Sequence, residues 1–461
     1  MQTYDMVVVG SGPGGEKAAV QAAKLKKSVL VIERGDLPGG SCLHTGTIPS
    51  KTLRESVRFI SLLRQRAIYG VSTRLDSNLQ VDHLMHRKKG AIQSLVDRLE
   101  STFERNRVDY LHGEARFVDP HTIEIVRSGE NNEMVRGEVI VLATGSRPYR
   151  PEFLDFSHPR IKDSDTILGI HKIPGSITIV GAGVIGCEYA TIFSNLGCKV
   201  NLISPRNELL DFLDEEVSAA LAYLMREQGV RLRMGEDVIS AEVNDEEEMV
   251  HAQTQSGKVL KSEVLLFANG RTGNTDALQL DRIGLTANQR GQLDVNEFLQ
   301  TEHSHIYAVG DVIGFPSLAA TAMEQGRRAV LHAFGNGEKA RLPALPTGIY
   351  TIPEISMIGA TEKELTEAKV PYEVGAASYK ELSRGQIAGN TTGRLKMLFH
   401  RETLKLLGVH IIGDHATDLI HIGQMVMAFE GTIEYFVEHV FNYPTYSESY
   451  RVAALNGLNR L

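Results

Sequence analysis

The first apolar segment of the chain runs into a glycine-rich loop. The letters "YDMVVVG" predict a buried β-strand that ends at Gly10, and Gly12 and Gly15 complete a G-x-G-x-x-G spacing. An alanine-rich segment then predicts a helix, and a second apolar strand ends at Glu33. In such a unit the first glycine allows a tight turn, the second lets backbone approach a pyrophosphate, and the third lets the helix pack on the strand. A carboxylate 23 residues beyond Gly10 can accept from both hydroxyls of an adenosine ribose, so we predict a dinucleotide site.

The same pattern occurs a second time further along the chain. Gly181, Gly183 and Gly186 occupy an equivalent loop between an apolar strand and a predicted helix. Where the first unit has its ribose carboxylate, the second unit has Ser204, and Arg206 follows two residues later. The sequence therefore predicts two dinucleotide sites whose ribose pockets differ.

A shorter repeat accompanies the two units. Each unit contains a later strand that closes on small residues, "EVIVLATG" at 138–145 and "EVLLFANG" at 263–270. Up to this strand the first unit is about 46 residues longer than the second, and the additional residues begin near "GGSCLHTGTIPSK". Because ligands bind at the carboxyl edge of doubly wound sheets, this insertion is the predicted reaction centre.

The pattern changes at about residue 338. Alternating apolar segments such as "GRLKMLFH" and "LKLLGVHIIG" predict an antiparallel sheet with flanking helices. The predicted fold class is α/β, with two Rossmann-like dinucleotide-binding domains and an α+β C-terminal domain. The predicted boundaries are 1–155 and 276–337 for the two parts of the first domain, 156–275 for the second domain, and 338–461 for the C-terminal domain.

The amino-acid composition argues against several classes of binding partner. The 461 residues contain 49 Lys plus Arg against 57 Asp plus Glu, a formal charge of −8 without a long basic run, which argues against nucleic acid as a partner. Three cysteines without a CxxC spacing cannot form a disulfide framework and favour a reducing compartment. No apolar stretch reaches the roughly 20 residues that span a bilayer. We expect a cytoplasmic protein with no membrane, nucleic-acid or metal partner.

The motifs, taken in order, resemble the flavoprotein disulfide reductase superfamily. The resemblance covers essentially the whole chain, from the first glycine loop through "GGSCLHTGTIPSK", "ATG", the second loop, "GRTGNT" and "GD" to a C-terminal "PT" element. It implies one non-covalent FAD per subunit, an NAD(P) site and a C-terminal dimerisation domain. The cofactor-binding residues that it implies are Gly10, Gly12, Gly15, Glu33, Arg34, Gly40, Ser41, Cys42, Lys51, Thr144, Gly145, Gly181, Gly183, Gly186, Glu188, Ser204, Arg206, Gly270, Gly310 and Asp311, with Asp311 on the ribityl chain.

The chain departs from that superfamily at the disulfide. The redox pair of the superfamily is Cys-x-x-x-x-Cys, and here Cys42 is followed by Thr47. A hydroxyl cannot replace the second thiolate, because its pKa is too high and it cannot form an S–S bond. The histidine that precedes "PT" in the superfamily is Tyr443 here, although Glu448 remains. Since tyrosine titrates near pH ~10, it is a poor base for a thiol.

The hydride half of the chemistry is retained. Lys51 and Glu188 match the superfamily's lysine–glutamate pair beside flavin N5 and the nicotinamide. An ammonium there would stabilise negative charge on the flavin, and the carboxylate would orient the lysine. The predicted catalytic residues are Lys51, Glu188, Thr47 and Cys42.

Loss of the dithiol with retention of both nucleotide sites resembles the soluble pyridine nucleotide transhydrogenases within the superfamily. Phrases such as "GAGVIGCEYA", "NGRTGNTD" and "PTGIYTIPEIS" carry this resemblance. It implies hydride transfer between NADPH and NAD⁺ by a ping-pong route through flavin N5, with NADP⁺ and NADH as products. It also implies a homodimer that forms larger homo-oligomers. A second pocket with Ser204 and a single Arg206 suits an enzyme that binds both nucleotides.

Other readings remain open at this point. Cys42 alone could serve a thiol or peroxide reductase through a sulfenic acid, or the chain could be a diaphorase similar to dihydrolipoamide dehydrogenase. A sensor that binds FAD and reports the nucleotide ratio is a third reading, although retention of Lys51 argues against it. Cys187 and Cys198 are predicted to be buried thiols, and His439 to lie on a helix surface.

Overall fold

The computed structural model of the chain describes residues 1–64, 80–127, 129, 131–335, 342 and 344–461. The predicted boundary between residues 337 and 338 lies outside these residues. Within the described ranges, no helix is both long and apolar enough to cross a membrane.

The first sheet is mainly parallel and has the order β3-β2-β1-β6-β5-β4, with β17 also paired to β6. β5 is the exception, because it pairs antiparallel with both β4 and β6. Its strands are β1 (Gln2–Val9), β2 (Val29–Glu33), β3 (Asp109–His112), β4 (Glu114–Asp119), β5 (Thr122–Val126), β6 (Glu133–Leu142) and β17 (Ile306–Ala308). Its helices are α1 (Pro13–Lys24), α2 (Gly40–His44), α3 (Thr47–Arg64), α4 (Val81–Leu84), α5 (His86–Asn106) and α8 (Ala319–Phe334).

The second sheet is parallel throughout and has the order β11-β10-β9-β15-β8. It consists of β8 (Ile161–Asp163), β9 (Ser176–Val180), β10 (Lys199–Ser204), β11 (Arg231–Met234) and β15 (Val264–Phe267), with helices α6 (Val184–Asn195) and α7 (Glu215–Glu227). A small antiparallel sheet adjoins it, formed by β12 (Val238–Asn244), β13 (Met249–Thr254) and β14 (Val259–Ser262). A two-stranded ribbon of β7 (Ser146–Pro148) and β16 (Arg271–Gly273) connects the two units.

The C-terminal part forms an antiparallel sheet in the order β18-β19-β22-β21-β20. The strands are β18 (Thr347–Ile349), β19 (Ile355–Gly359), β20 (Tyr372–Ser378), β21 (Gly393–His400) and β22 (Leu406–Gly413). The helices are α9 (Glu362–Glu367), α10 (Ser383–Ala388), α11 (Ala416–Ala428), α12 (Glu434–Glu438) and α13 (Glu448–Leu458). The predicted antiparallel sheet with flanking helices is confirmed.

The repeat in the sequence corresponds to a repeat in the fold. In each unit the strand that closes on small residues pairs in parallel with the first strand, β6 with β1 and β15 with β9. The insertion in the first unit follows β2 and supplies α2 to α5, so it begins at the carboxyl end of the sheet as predicted. The strand before Gly310 ends earlier than predicted, at Ala308, because residues Gly310–Ile313 turn into a short 3₁₀ helix.

One apolar core is shared by the first unit, the second unit and the C-terminal sheet. Leu53 and Val57 of α3 pack in the same cluster as Phe193 of α6, and Ile349 and Ile355 of the C-terminal sheet belong to it as well. Burial of shared apolar surface favours a fixed relative placement of the parts. The site that lies beside this core is therefore built from all three.

Candidate active site

The first glycine loop has the geometry that its sequence predicts. Gly10 has φ +102°, and a Cβ there would lie 2.4 Å from the Ala143 carbonyl oxygen. A Cβ on Gly15 would lie 1.9 Å from the Gly10 oxygen, so only glycine lets α1 approach β1 this closely. A Cβ on Gly12 would meet no atom of the described chain within 4 Å. The open space therefore lies beside Gly12, at the N-terminus of α1, where free N–H groups favour an anion.

Glu33 lies buried at the end of β2 and is oriented by its neighbours. Ser11 donates to one carboxylate oxygen from its backbone N at 2.9 Å and from its hydroxyl at 2.6 Å. The Gly35 backbone N donates to the other oxygen at 2.8 Å. A carboxylate accepts about four hydrogen bonds, so a ribose can still bind. Sequence reasoning missed Ser11, whose only signal is a hydroxyl inside the glycine loop, and Arg34 is exposed next to this carboxylate.

The second glycine loop repeats this geometry. Gly181 has φ +112°, and a Cβ there would lie 2.7 Å from the Ala268 oxygen. A Cβ on Gly186 would lie 1.8 Å from the Gly181 oxygen, whereas one on Gly183 would meet nothing within 4 Å among the described atoms. Open space thus adjoins the N-terminus of α6 as it adjoins that of α1.

The second ribose position differs from the first as predicted. Ser204 is buried at the end of β10, and its hydroxyl accepts from the Arg206 backbone N at 3.2 Å. A serine hydroxyl that accepts one bond can still donate one. The Arg206 guanidinium is 62% exposed and forms an ion pair with Asp211. To contact a phosphate, the Arg206 guanidinium would have to break its ion pair with Asp211 or bind both groups at once.

Lys51 and Glu188 meet between the two units. The Lys51 Nζ lies 2.7 Å from Oε2 of Glu188, although 137 residues separate them in sequence. The Glu188 side chain is 6% exposed and that of Lys51 is 25% exposed, so the carboxylate is the more deeply buried partner. The other Glu188 oxygen accepts from the Tyr350 backbone N at 2.9 Å. The predicted pair thus forms, and Tyr350 is a member of the site that sequence reasoning missed.

Cys42 and Thr47 lie near this pair. Burial raises the pKa of the Cys42 thiol, although a hydrogen bond with Thr47 and the charge of Lys51 act in the opposite direction. A raised pKa keeps the sulfur protonated at neutral pH and therefore weakly nucleophilic. His44 contacts the Pro38 carbonyl oxygen at 3.0 Å. Burial therefore opposes formation of the thiolate at Cys42.

Asp311 closes the site from the second half of the first unit. Its Oδ2 accepts from the Ser146 hydroxyl at 2.7 Å, and the Arg271 Nε lies 3.9 Å away. Arg271 also donates to the Ser146 hydroxyl at 2.7 Å, which links the ribbon to this carboxylate. Gly310 has φ +76°, and its N donates to the Gln325 side chain. Arg271 is another residue that sequence reasoning missed.

The remaining predicted residues lie at the loops around these groups. Gly145 and Gly270 have φ values of +67° and +110° at the two ends of the ribbon. A Cβ on Gly40 would lie 3.1 Å from the Gly12 Cα, so α2 begins against the first glycine loop, and Ser41 is exposed there. The Thr144 hydroxyl is buried and finds no hydrogen-bond partner within the described part of the chain.

These residues fit the dinucleotides that the resemblance implies. Each glycine loop leaves open space at a helix N-terminus, and a buried carboxylate follows only the first. Thr144 lies between the two glycine loops in the sequence. Its hydroxyl has no hydrogen-bond partner within the described part of the chain and is available to bind a ligand. The donor set, a helix N-terminus with a ribose acceptor, matches a nucleotide rather than a metal.

Comparison with known proteins agrees with this geometry. A family profile described as pyridine nucleotide-disulphide oxidoreductase matches residues 4–326, and one described as the dimerisation domain of that family matches residues 345–454. The chain belongs to the pyridine nucleotide-disulphide oxidoreductase family. A soluble pyridine nucleotide transhydrogenase of Mycobacterium tuberculosis (strain ATCC 25177 / H37Ra) is 49% identical over 462 residues, covering 100% of this chain and 98% of the relative. One from Enterobacter sp. (strain 638) is 51% identical over 463 residues, covering 99% and 98%.

Two solved structures share the fold of this chain. The HOCl-induced flavoprotein disulfide reductase RclA from Escherichia coli, as a Cu(II) complex, has a TM-score of 0.89 at 25% identity and covers 99% of both chains. LpdA from Mycobacterium tuberculosis has a TM-score of 0.90 at 23% identity, also covering 99% of both chains. The fold class predicted from the sequence is therefore confirmed.

This member of the pyridine nucleotide-disulphide oxidoreductase family contains no disulfide. All three of its cysteines are free, and Cys187 and Cys198 are buried as predicted. At the C-terminal "PT" element, the Tyr443 hydroxyl is 2.5 Å from the Ser383 hydroxyl. His439 is exposed and stacks on Tyr435, but it lies just beyond the end of α12 rather than on the helix as expected.

Proposed function

We propose that the protein is an FAD-dependent NAD(P)⁺ transhydrogenase that moves hydride between NADPH and NAD⁺. The observation that carries this proposal is the Lys51–Glu188 pair, held between two dinucleotide loops beside a cysteine that forms no disulfide. Relatives about half identical over the full length bear the name soluble pyridine nucleotide transhydrogenase, which supports it.

Each group of residues has a task in this proposal. The first loop and the N-terminus of α1 hold the FAD pyrophosphate, Glu33 accepts from its ribose, and Asp311 contacts the ribityl chain. The second loop and the N-terminus of α6 hold the nicotinamide nucleotide. When bound, FAD supplies a hydride acceptor and donor at N5, which lets one pocket serve the two nucleotides in turn. Lys51 and Glu188 orient the reacting groups and supply a positive charge, and no acid, base or metal is required for hydride transfer.

A coupled transfer assay tests the proposal. Purified protein with bound FAD should reduce a thio-analogue of NAD⁺ at the expense of NADPH, and initial rates at varied concentrations of both nucleotides should give parallel double-reciprocal lines. Enzyme that oxidises NADPH with a dye but never reduces the analogue would be a diaphorase, and the proposal would be wrong. Intersecting lines would contradict the ping-pong order but would not contradict the transhydrogenase activity itself.

The competing function, a reductase that uses Cys42 alone, predicts a different response to Cys42→Ser. We expect the serine variant to keep more than about half of the transfer rate, because partial burial raises the pKa of this thiol and it forms no disulfide. Anaerobic reductive titration of the wild type should consume two electrons per FAD. Uptake of four electrons that falls to two in the serine variant would favour the reductase.

Arg206 is proposed to distinguish the two nucleotides. The Arg206→Ala variant should raise KM for NADPH roughly tenfold or more and leave KM for NADH within about twofold, because only NADPH carries a 2′-phosphate for the guanidinium. Asp211→Asn is the matched control, since it frees Arg206 from its ion pair and should not weaken NADPH. Equal losses for both nucleotides in the alanine variant would reject this role.

The C-terminal domain is proposed to form a homodimer, and dimers to assemble further. Its surface carries large apolar side chains that are unusually exposed in a single chain, among them Phe429 at 86% and Val440 at 91%. Contact with a second copy of the chain would remove such side chains from water and so favour association. We place the enzyme in the cytoplasm, where free thiols such as its three cysteines stay reduced.

A further inference from the structure

A turn between β18 and β19 contacts the second nucleotide unit at three points. The Tyr350 backbone N donates to Glu188 at 2.9 Å, and the Ile352 backbone N donates to the Thr191 hydroxyl at 3.2 Å. The Gln228 side chain donates to the Ile352 carbonyl at 2.8 Å. The turn is therefore hydrogen-bonded both to the middle of α6 and to the C-terminal end of α7.

The same turn is bonded to the first nucleotide unit through a buried arginine. Arg54 on α3 has a side chain that is 2% exposed, and it donates to the Thr351 carbonyl from Nε at 3.2 Å and from Nη2 at 3.1 Å. Its Nη2 also contacts Glu354 at 3.1 Å. Buried charge is retained only when it is paired and hydrogen-bonded, so Arg54 holds this turn firmly against α3.

The Tyr350 ring lies against two cations of α3. The Lys51 Nζ is 5.1 Å from the ring centroid and the Arg54 Cζ is 5.8 Å from it. Both distances lie within the roughly 6 Å range at which an aromatic face attracts a cation. Lys51 and Arg54 are three residues apart and therefore share one face of the helix.

We propose that Tyr350 is a positioning residue that holds the Lys51–Glu188 pair in its working geometry. Its backbone fixes one oxygen of Glu188, which leaves the other oxygen for Lys51, and its ring provides a face for the Lys51 ammonium. A lysine side chain loses rotamer freedom when it is fixed, and these two contacts offset that loss. The C-terminal domain thus sets the geometry of a pair whose members come from the other two parts of the chain. This inference rests on the role proposed above for Lys51.

Two substitutions separate the ring from the rest of Tyr350. Both Tyr350→Phe and Tyr350→Leu keep the backbone N–H to Glu188, but only the leucine variant removes the aromatic face. In the FAD-loaded protein we expect the phenylalanine variant to match the wild type, and the leucine variant to transfer hydride roughly tenfold more slowly. The midpoint potential of the bound flavin should also become more negative in the leucine variant. A tenfold loss in the reduction equilibrium corresponds to about 30 mV for a two-electron couple.

The potential distinguishes positioning from a purely structural role. A leucine variant with lower thermal stability but an unchanged flavin potential and transfer rate would overturn the proposal. Equal shifts in the phenylalanine and leucine variants would also overturn it, because the hydroxyl would then be the active group. If the leucine variant does not retain FAD, the same measurements can be made on Tyr350→Met. Methionine also lacks the aromatic ring, but its side chain is longer than that of leucine. Since the potential is measured without a second nucleotide, a shift there would stand even if the transhydrogenase assay failed.

Discussion

A Lys51→Met variant should lose hydride transfer by about 100-fold to 1,000-fold, the range found when one charge-stabilising donor is removed from an enzyme. Methionine keeps much of the length and volume of lysine but removes the ammonium that lies 2.7 Å from Glu188. Transfer of a hydride brings negative charge to the bound cofactor, so loss of the cation raises the barrier. The Glu188 carboxylate, 6% exposed, would also keep only its bond from the Tyr350 N within the contacts described above. The measurement is kcat with NADPH and thio-NAD⁺ at matched FAD content.

A surface pair of similar geometry provides the control for this variant. Lys261 is 50% exposed and lies 2.8 Å from Glu247 on the small antiparallel sheet. Exposed pairs contribute about 0–1 kcal/mol to stability, so Lys261→Met should leave both kcat and the thermal midpoint close to the wild type. Wild-type kcat in the Lys51 variant would remove this lysine from the reaction centre. A fall in kcat of the same size in both variants would show that loss of a lysine anywhere is sufficient.

The nucleotide loops could be predicted because everything that fixes them is local. Gly15 must be glycine since a Cβ would lie 1.9 Å from the oxygen of Gly10, five residues earlier. β1, the glycine loop, α1 and β2 follow one another directly in the sequence, and β2 ends at Glu33. Residue spacing alone therefore determines where this carboxylate lies. The same reasoning placed Glu33 and Ser204 at the ends of equivalent strands, where the structure has them.

The contacts between parts of the chain could not be predicted in this way. Tyr350 reaches Glu188 across 162 residues through a backbone N–H, which every residue except proline has, so no letter of the sequence signals that bond. Lys396 gives a misleading signal, because a lysine inside "GRLKMLFH" suggests an outward-facing position on a strand. β21 is instead buried from Leu395 to Phe399, and Lys396 is buried with it.

Replacing Lys396 by methionine should lower the free energy of unfolding by about 3–5 kcal/mol, the cost of breaking a buried ion pair from one side. The Lys396 Nζ lies 2.8 Å from Asp214 and 3.6 Å from Glu216, and it also contacts Glu362. Asp214 caps the N-terminus of α7, so the variant would leave a buried carboxylate uncompensated between the second nucleotide unit and the C-terminal sheet. The measurement is the denaturant midpoint at pH 7, and the exposed pair of Lys405 with Glu430 supplies the control, for which Lys405→Met should cost about 0–1 kcal/mol.

The dependence of this loss on pH follows from two opposite shifts. Burial alone would raise the pKa of Asp214, but the hydrogen bond from Lys396 and nearby charges outweigh it and lower that pKa. Burial alone would lower the pKa of Lys396, and its carboxylate partners outweigh that effect and raise it. Stability from a lowered carboxyl pKa is present above about pH 4 and is lost as pH falls through the folded value, whereas stability from a raised lysine pKa is present below about pH 10 and is lost as pH rises.

The difference in stability between wild type and Lys396→Met should therefore be greatest near neutral pH and shrink towards both extremes. On the acid side the variant can protonate Asp214, which removes the buried charge, while the wild type loses its ion pair. A second variant that combines Lys396→Met with Asp214→Asn should recover part of the lost stability at pH 7, because the most buried of the three carboxylates around Lys396 then carries no charge. A loss that is the same at about pH 3 and at pH 7, with no recovery in the double variant, would mean that lysine packing rather than charge joins these two parts of the chain.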